Sequence, residues 1–277
     1  MGFETKHKQR DLLLPKHRQS IMKKIELDLL NDPNILSVFY GGSIGNQNTD
    51  LYSDIDLRII VKDEFFEEYR ANKKQRAKNW GNVLFYEDNP LANYSVAHFS
   101  SFIKVDSFYY QTEEMQPSIW LQNIRIIHDT DGMMTNILEQ SMQILYTPTT
   151  EDIEISRSKF FAYVHETYRR VIREEMYYAL QCVDTLRFLV AAVWLMEAGI
   201  QPNTLSDWAK MEGSRSNLQN WQLTLLANWD CSRDSVKILH VLHYIIVEYK
   251  KVHNNLCREY HIAENPEWVD GIFDMVL

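Results

Sequence analysis

The spacing of apolar residues separates a first half of the chain that mixes two periods from a second half that keeps one. From Lys16 to Leu30, Ile21, Met22, Ile25, Leu29 and Leu30 recur at helical spacing, and Asp32-Pro33 stops the run. Ile35 to Tyr40 is a short, β-rich apolar run that ends at a pair of glycines and predicts a strand; Ile55 to Val61 predicts a second. Glu64 to Lys78 is charged throughout and predicts a surface helix. Val83 to Tyr86, Ala97 to Tyr110 and Ile124 to His128 predict further strands, in part with period-2 alternation. His128-Asp129-Thr130-Asp131-Gly132 is a turn signature, after which Met133 to Ile144 returns to helical spacing.

Beyond Pro148 only the helical period remains. Segments 156–179, 181–198, 217–228 and 234–260 predict helices, broken at Gly199-Ile200-Gln201-Pro202 and between Asn228 and Asp234. Trp194, Trp208, Trp221 and Trp229 all fall in this half and read as core. The pattern predicts an α+β protein: a mixed sheet flanked by helices over 1–148, then a C-terminal helical bundle over 149–277.

Composition narrows the class of function. With 277 residues, 45% of them hydrophobic and 12% aromatic, the chain is globular and large enough for proper cores. No apolar run reads as long enough to cross a bilayer, and the charged start MGFETKHKQRDLLLPKHRQ has no apolar stretch after it, which argues against a secretory signal. The expectation is a cytoplasmic protein without a membrane partner. Formal net charge is -9 with no offsetting stripe of lysine or arginine. That argues against nucleic acid as a partner, because phosphate neutralisation dominates such binding. An acidic surface suits a small cationic substrate, although acidity also serves solubility. Cys182, Cys231 and Cys257 lie far apart with no CxxC pair and read as reduced thiols in or near a helical core.

The stretch FYGGSIGNQNTDLYSDIDLRIIV, Phe39 to Val61, changes the picture most. Gly41 and Gly42 close a strand and let the backbone approach a ligand without interference from a Cβ. Ser43 adds a hydroxyl and a backbone N–H near the start of a short helix, a combination that suits phosphate oxygens. Ten residues later, Asp54 and Asp56 flank Ile55 at the start of the next strand, so their side chains project from one face. Carboxylates that close repel each other, and a divalent cation between them offsets the repulsion; hard oxygen ligands of this kind favour Mg²⁺, which also binds substrate phosphates. A Gly-Gly-Ser turn and an Asp-x-Asp pair are each common alone. In this order and spacing they describe a metal–triphosphate site.

On these residues the chain resembles the DNA-polymerase-β-like nucleotidyltransferases, whose signature is a Gly-Gly/Ser turn, an Asp-x-Asp/Glu pair on the next strand and a third carboxylate on a later strand. Asp106, in SSFIKVDSFYY, supplies the third. Within the superfamily the chain looks most like the lincosamide and aminoglycoside nucleotidyltransferases: IRIIHDTDGMMTNIL is similar to their strand–Asp-x-x-Gly–helix segment, and the helices after Pro148 are similar to their C-terminal domain. The motif resemblance covers about residues 35–145. It implies transfer of a nucleoside monophosphate from an NTP, ATP foremost, to a hydroxyl of a small molecule such as an aminoglycoside or lincosamide antibiotic, with release of pyrophosphate.

It further implies two Mg²⁺ ions held by Asp54, Asp56 and Asp106, with Asp106 also able to accept the proton, and Gly41, Gly42 and Ser43 holding phosphates. Relatives often carry a cation in the loop after the serine, where this chain has Ile44-Gly45-Asn46-Gln47-Asn48; Arg58, Lys62 and Lys104 are the candidate substitutes, Arg58 and Lys104 lying on the aspartates' face by strand phase. Glu174 and Glu175 fall where look-alikes place an acidic residue facing the acceptor, which makes this pair, Glu175 foremost, a second candidate general base. His240-x-x-His243 reads as helix surface and His98 as a satisfied sheet histidine. The resemblance also leaves open a homodimer, a protein or tRNA nucleotidyltransferase, and a nucleotide-binding regulatory module without turnover.

Overall fold

Leu14, Arg18, Ile21, Ile25 and Leu29 fall on one stripe of a helix, and all five are buried. That helix is α2 (Leu14–Leu29), preceded by a short α1 (Lys8–Leu12). The structure, a computed structural model, describes residues 6–277. It continues with β1 (Ile35–Tyr40), a one-turn α3 (Gly42–Gly45), β2 (Ile55–Val61), α4 (Phe66–Arg76), β3 (Val83–Asp88), β4 (Tyr94–Phe99), β5 (Lys104–Tyr110), β6 (Arg125–Asp129) and α5 (Met133–Ser141). These strands form a mixed six-stranded sheet in the order β3-β4-β5-β2-β1-β6, in which β2 and β5 pair in parallel and the other neighbours pair antiparallel.

Side chains that alternate along the central strands fill cores on both faces. On one face, Ile55, Leu57 and Ile59 of β2 and Val105 and Tyr109 of β5 pack with the α2 stripe. On the other, Phe39 and Ile60 pack with Met134 and Ile137 of α5. Asp129, at the end of β6, caps α5 by accepting from the backbone N–H groups of Met134 and Thr135 at 3.2 and 2.8 Å. The Asp-x-x-Gly segment thus has a structural reason: a carboxylate satisfies donors that a helix N-terminus leaves free.

The chain divides into two compact units, Met1–Ile144 and Leu145–Leu277. The second is helical: α6 (Thr150–Ile172), α7 (Met176–Glu197), α8 (Asn220–Asn228), α9 (Ser235–Glu259) and α10 (Pro266–Phe273). Its core gathers Phe160, Leu186, Trp194, Ile245 and Tyr249 among others, with Phe160 stacked on Tyr249 at 3.5 Å and edge-on to Phe273 at 6.2 Å.

Three expectations need correction. Ala97 to Tyr110 is not one strand: Ser100-Ser101 turns the chain, Phe102 takes a left-handed φ of 63°, and β4 and β5 pair across the resulting hairpin. The break between the first two helices of the bundle lies at Arg173–Glu175, not near residue 180. Glu174 sits there at φ 59° and the Glu175 N–H closes onto the Arg170 carbonyl at 2.9 Å. Finally, α7 is long and apolar enough to span a membrane by length and composition, contrary to the sequence reading, but 78% of its apolar window is buried by the helices around it: Leu186, Val190 and Trp194 are core.

Phe160→Ala removes a fully buried ring from this core. Urea unfolding should show a loss of about 3–5 kcal/mol, and a loss below about 1 kcal/mol would mean the aromatic stack contributes little.

Candidate active site

The sheet register carries the acidic motif. Parallel pairing of β2 with β5 sets Asp56 opposite Asp106, with Ile55 opposite Val105 and Leu57 opposite Ser107. Because alternate residues face opposite ways, Ile55 and Leu57 go into the core while Asp56 and Asp106 stay half-buried on the other face. Asp54 precedes β2 by one residue. Lys104, two residues before Asp106, reaches both flanking carboxylates: its Nζ lies 2.8 Å from Asp54 Oδ2 and 2.9 Å from Asp106 Oδ2.

Burial and neighbouring charge act on Asp56, Asp106 and Lys104. Burial pushes Asp56 above the ordinary aspartate value, and the Asp54 charge adds to the rise while Arg58 opposes it. Burial also raises Asp106, against hydrogen bonding from Lys104. Burial would lower the Lys104 ammonium, but its hydrogen bonds to Asp54 and Asp106 outweigh that and raise it.

The glycine turn lies directly against this group. The Gly41 N–H donates to the Asp56 carbonyl at 2.9 Å. Gly42 has a φ of 53°, and a Cβ there would fall 1.8 Å from Asp56 Oδ2, so only glycine satisfies both the backbone and the contact. Gly45 is equally constrained, since a Cβ would lie 2.3 Å from the Asn123 carbonyl. Ser43 departs from the reading of an open hydroxyl. It is buried at 4% exposure, and its Oγ has no hydrogen-bond partner.

Asp106 Oδ1 is likewise buried and unpartnered. An orphaned carboxylate oxygen beside two further aspartates is the donor set of a hard divalent cation, so the residues fit Mg²⁺. Arg58 shares their face and lies 4.0 Å over the Phe108 ring. A cavity of about 270 Å³ opens beside the group, lined in part by Tyr52, Asp54, Phe85, His98, Phe102 and Lys104. His98 in its wall is held by Glu87 at 2.6 Å and stacks on Phe85.

Glu175 belongs to the other unit, where it forms the N-cap of α7, and its carboxylate pairs with Arg170. Sequence reasoning missed Arg18. Its Nη1 donates to the Ser53 carbonyl at 2.9 Å, which anchors the loop immediately before Asp54. The signal was present as a cation on the otherwise apolar stripe of α2.

A family model described as streptomycin adenylyltransferase matches residues 16–212. The chain belongs to the streptomycin adenylyltransferase family. It is a nucleotidyltransferase, with a nucleoside triphosphate as co-substrate and a small molecule as acceptor. The match spans the glycine turn, all three aspartates, Arg18 and Glu175. A search of curated proteins finds no match. Among solved structures, an aminoglycoside 6-adenyltransferase from Bacillus subtilis is 12% identical, with 94% of this chain and 95% of that chain covered and a TM-score of 0.45. A nucleotidyltransferase-like protein from Exiguobacterium sibiricum 255-15 is 14% identical, with 87% and 80% covered and a TM-score of 0.38.

Two outcomes follow for this adenylyltransferase-family site. A folded group with a raised carboxyl pKa holds its proton to higher pH than the unfolded chain does, so stability falls as pH rises from the ordinary aspartate value through the raised ones. Thermal melts without added divalent metal should show that fall, and Asp106→Asn should flatten it; an unchanged slope contradicts the assignment. Arg18→Met should leave a folded protein by circular dichroism with transfer activity reduced about tenfold or more, since the Asp54 loop loses its anchor. Full activity would relegate Arg18 to packing.

Proposed function

We propose that the chain moves an adenylyl group from Mg²⁺-ATP to a hydroxyl of an aminoglycoside and releases pyrophosphate. The observation that carries this reading is the convergence of Asp54 and Asp106 on one ammonium, with Asp56 in register beside them and the Gly41-Gly42 turn pressed against its carboxylate. Three acidic groups gathered at a glycine-lined turn suit two Mg²⁺ ions, which when bound neutralise the triphosphate and acidify the attacking hydroxyl. Asp54, Asp56 and Asp106 would hold them.

The remaining roles are assigned to this chain's own groups. The backbone at Gly41 and Gly42 approaches the phosphates without a side chain in the way, and the unpartnered Ser43 hydroxyl is available to an oxygen that reaches it. Arg58 and Lys104 are the cations beside the carboxylates, and we assign them to the triphosphate in place of the loop cation that this chain lacks. Asp106 is the better candidate to accept the acceptor's proton, because its Oδ1 has no hydrogen-bond partner. Glu175 is the weaker one, since Arg170 already occupies its carboxylate.

The helical unit, residues 149–277 by the sequence reading, is assigned to the acceptor. A cavity of about 340 Å³ there is lined by Asp184, Arg187, Trp208, Glu212 and Asp230, a mainly acidic and aromatic wall suited to a cationic aminosugar. The net charge of -9 favours the same class of acceptor.

α-Labelled ATP with Mg²⁺ and a panel of aminoglycosides and lincosamides tests the proposal. Labelled drug with stoichiometric pyrophosphate is the expected result. Label in a protein or tRNA band, or tight ATP binding with no turnover on any acceptor, would overturn it. Asp54→Asn and Asp56→Asn should each lower transfer about a thousandfold or more, the several kcal/mol that metal-ion stabilisation of the transition state contributes.

A further inference from the structure

We propose that His253, Cys257 and Glu264 form a second metal site, selective for Zn²⁺ and built entirely within the helical unit. One ligand atom from each lies within 4.8 Å of the other two. His253 and Cys257 stand one turn apart on α9 and share a face, and they are 2% and 3% exposed. Polar, metal-binding side chains this deep in a bundle otherwise cost stability unless they are paired.

The distances suit a tetrahedral ion. With Zn²⁺ bonds of about 2.0–2.1 Å to nitrogen and oxygen and 2.3 Å to sulfur, tetrahedral edges are about 3.3 Å between N and O and about 3.6 Å between N and S. His253 Nδ1 lies 3.2 Å from Glu264 Oε1 and 3.6 Å from Cys257 Sγ. A nitrogen, a sulfur and a single carboxylate oxygen form a borderline-soft donor set, which suits Zn²⁺ and not Mg²⁺.

The backbone fixes this arrangement. α9 ends in a left-handed residue, His261 at φ 53°, and the Ile262 N–H closes onto the Cys257 carbonyl at 2.9 Å. Four residues after the turn begins, Asn265 caps α10 by accepting from the Trp268 N–H at 3.1 Å. Glu264 is therefore held between two caps and directed back over α9. With its amide oriented to satisfy its neighbours, Asn254 donates to Glu264 Oε2 at 2.9 Å, and Tyr249 stacks on the His253 ring at 5.4 Å. Such outer contacts orient ligands before metal arrives.

Charge also balances. On binding, the Cys257 S–H bond breaks, its proton leaves to solvent and a sulfur–metal bond forms. One thiolate and one carboxylate then cancel the charge of Zn²⁺, so the buried site is neutral. Three protein ligands leave the fourth position to water or to an external ligand. The site pins the segment after α9 to its helix and is separate from the aspartate set of the catalytic unit.

The test is Co²⁺ and Zn²⁺ titration of the full chain after dialysis against chelator. One Co²⁺ per chain should give a thiolate-to-metal charge-transfer band and intense tetrahedral visible bands. Zn²⁺ should abolish both, whereas excess Mg²⁺ should not. Zn²⁺ should raise the thermal midpoint. Cys257→Ser should remove the charge-transfer band, and Glu264→Gln should weaken affinity by more than the roughly 10–100-fold that loss of an outer contact costs, while circular dichroism stays unchanged. Asp54→Asn and Asp56→Asn should leave the cobalt spectrum as in the wild type. No thiolate band in the wild-type chain, or a band that survives Cys257→Ser, would overturn the proposal.

Discussion

Three carboxylates gathered at one face of a sheet repel one another, and the sheet-bearing unit is arranged around that repulsion. Asp56 and Asp106 are brought abreast by the parallel pairing of β2 and β5, the one parallel pairing among the described strands. Asp54 is brought in by a loop that Arg18 anchors from beneath. Lys104 answers with a single ammonium bridging the two flanking carboxylates. Burial raises Asp56 and Asp106, with the Asp54 charge adding to the rise, so both carboxyls hold a proton more readily than a free aspartate does. A chain that sought only stability would not place acids so; the cost makes sense where a cation and a phosphate tail are to be gathered.

The glycine turn and the acidic strand depend on each other. Gly42 adopts a φ that other residues avoid, in the position where any side chain would strike Asp56. The turn therefore belongs to the carboxylate geometry, whatever its proposed part as a phosphate cradle. Ser43 fits the same economy: its buried, unpartnered hydroxyl is a group that the folded chain alone does not satisfy. The residues matched by the streptomycin adenylyltransferase family model include the glycine turn and the acidic strands.

Much of this was legible in the sequence because it rests on local periodicity. β1 and β2 begin and end where alternating apolar residues begin and end, and Gly41-Gly42-Ser43 and Asp54-Ile55-Asp56 sit at their mouths. Strand phase alone put Arg58 and Lys104 on the face of the aspartates. What escaped notice depends on long-range pairing or on backbone conformations without a residue signature. The hairpin at Phe102 and the break at Glu174 both place a non-glycine residue at positive φ, which no Gly or Pro announced. The short helix α10 did announce itself, through Asn265-Pro266, but lay beyond the last strong apolar period. Arg18 was hidden by its company: a cation on an apolar stripe reads as a lapse in the pattern until the Ser53 carbonyl is seen above it. Cys257 read as a core thiol because Glu264, the third member of the group beside His253 on the same face of α9, becomes a neighbour only when α9 ends and the chain folds back.

The account stands on the aspartate set as a cation site, and diffraction tests that most directly. In crystals soaked with Mn²⁺ and a non-hydrolysable ATP analogue, anomalous scattering should place the ion among Asp54, Asp56 and Asp106, with phosphate density against Gly41-Gly42 and the Lys104 ammonium drawn off at least one carboxylate. Manganese bound elsewhere, with Lys104 still bridging Asp54 and Asp106, would contradict it.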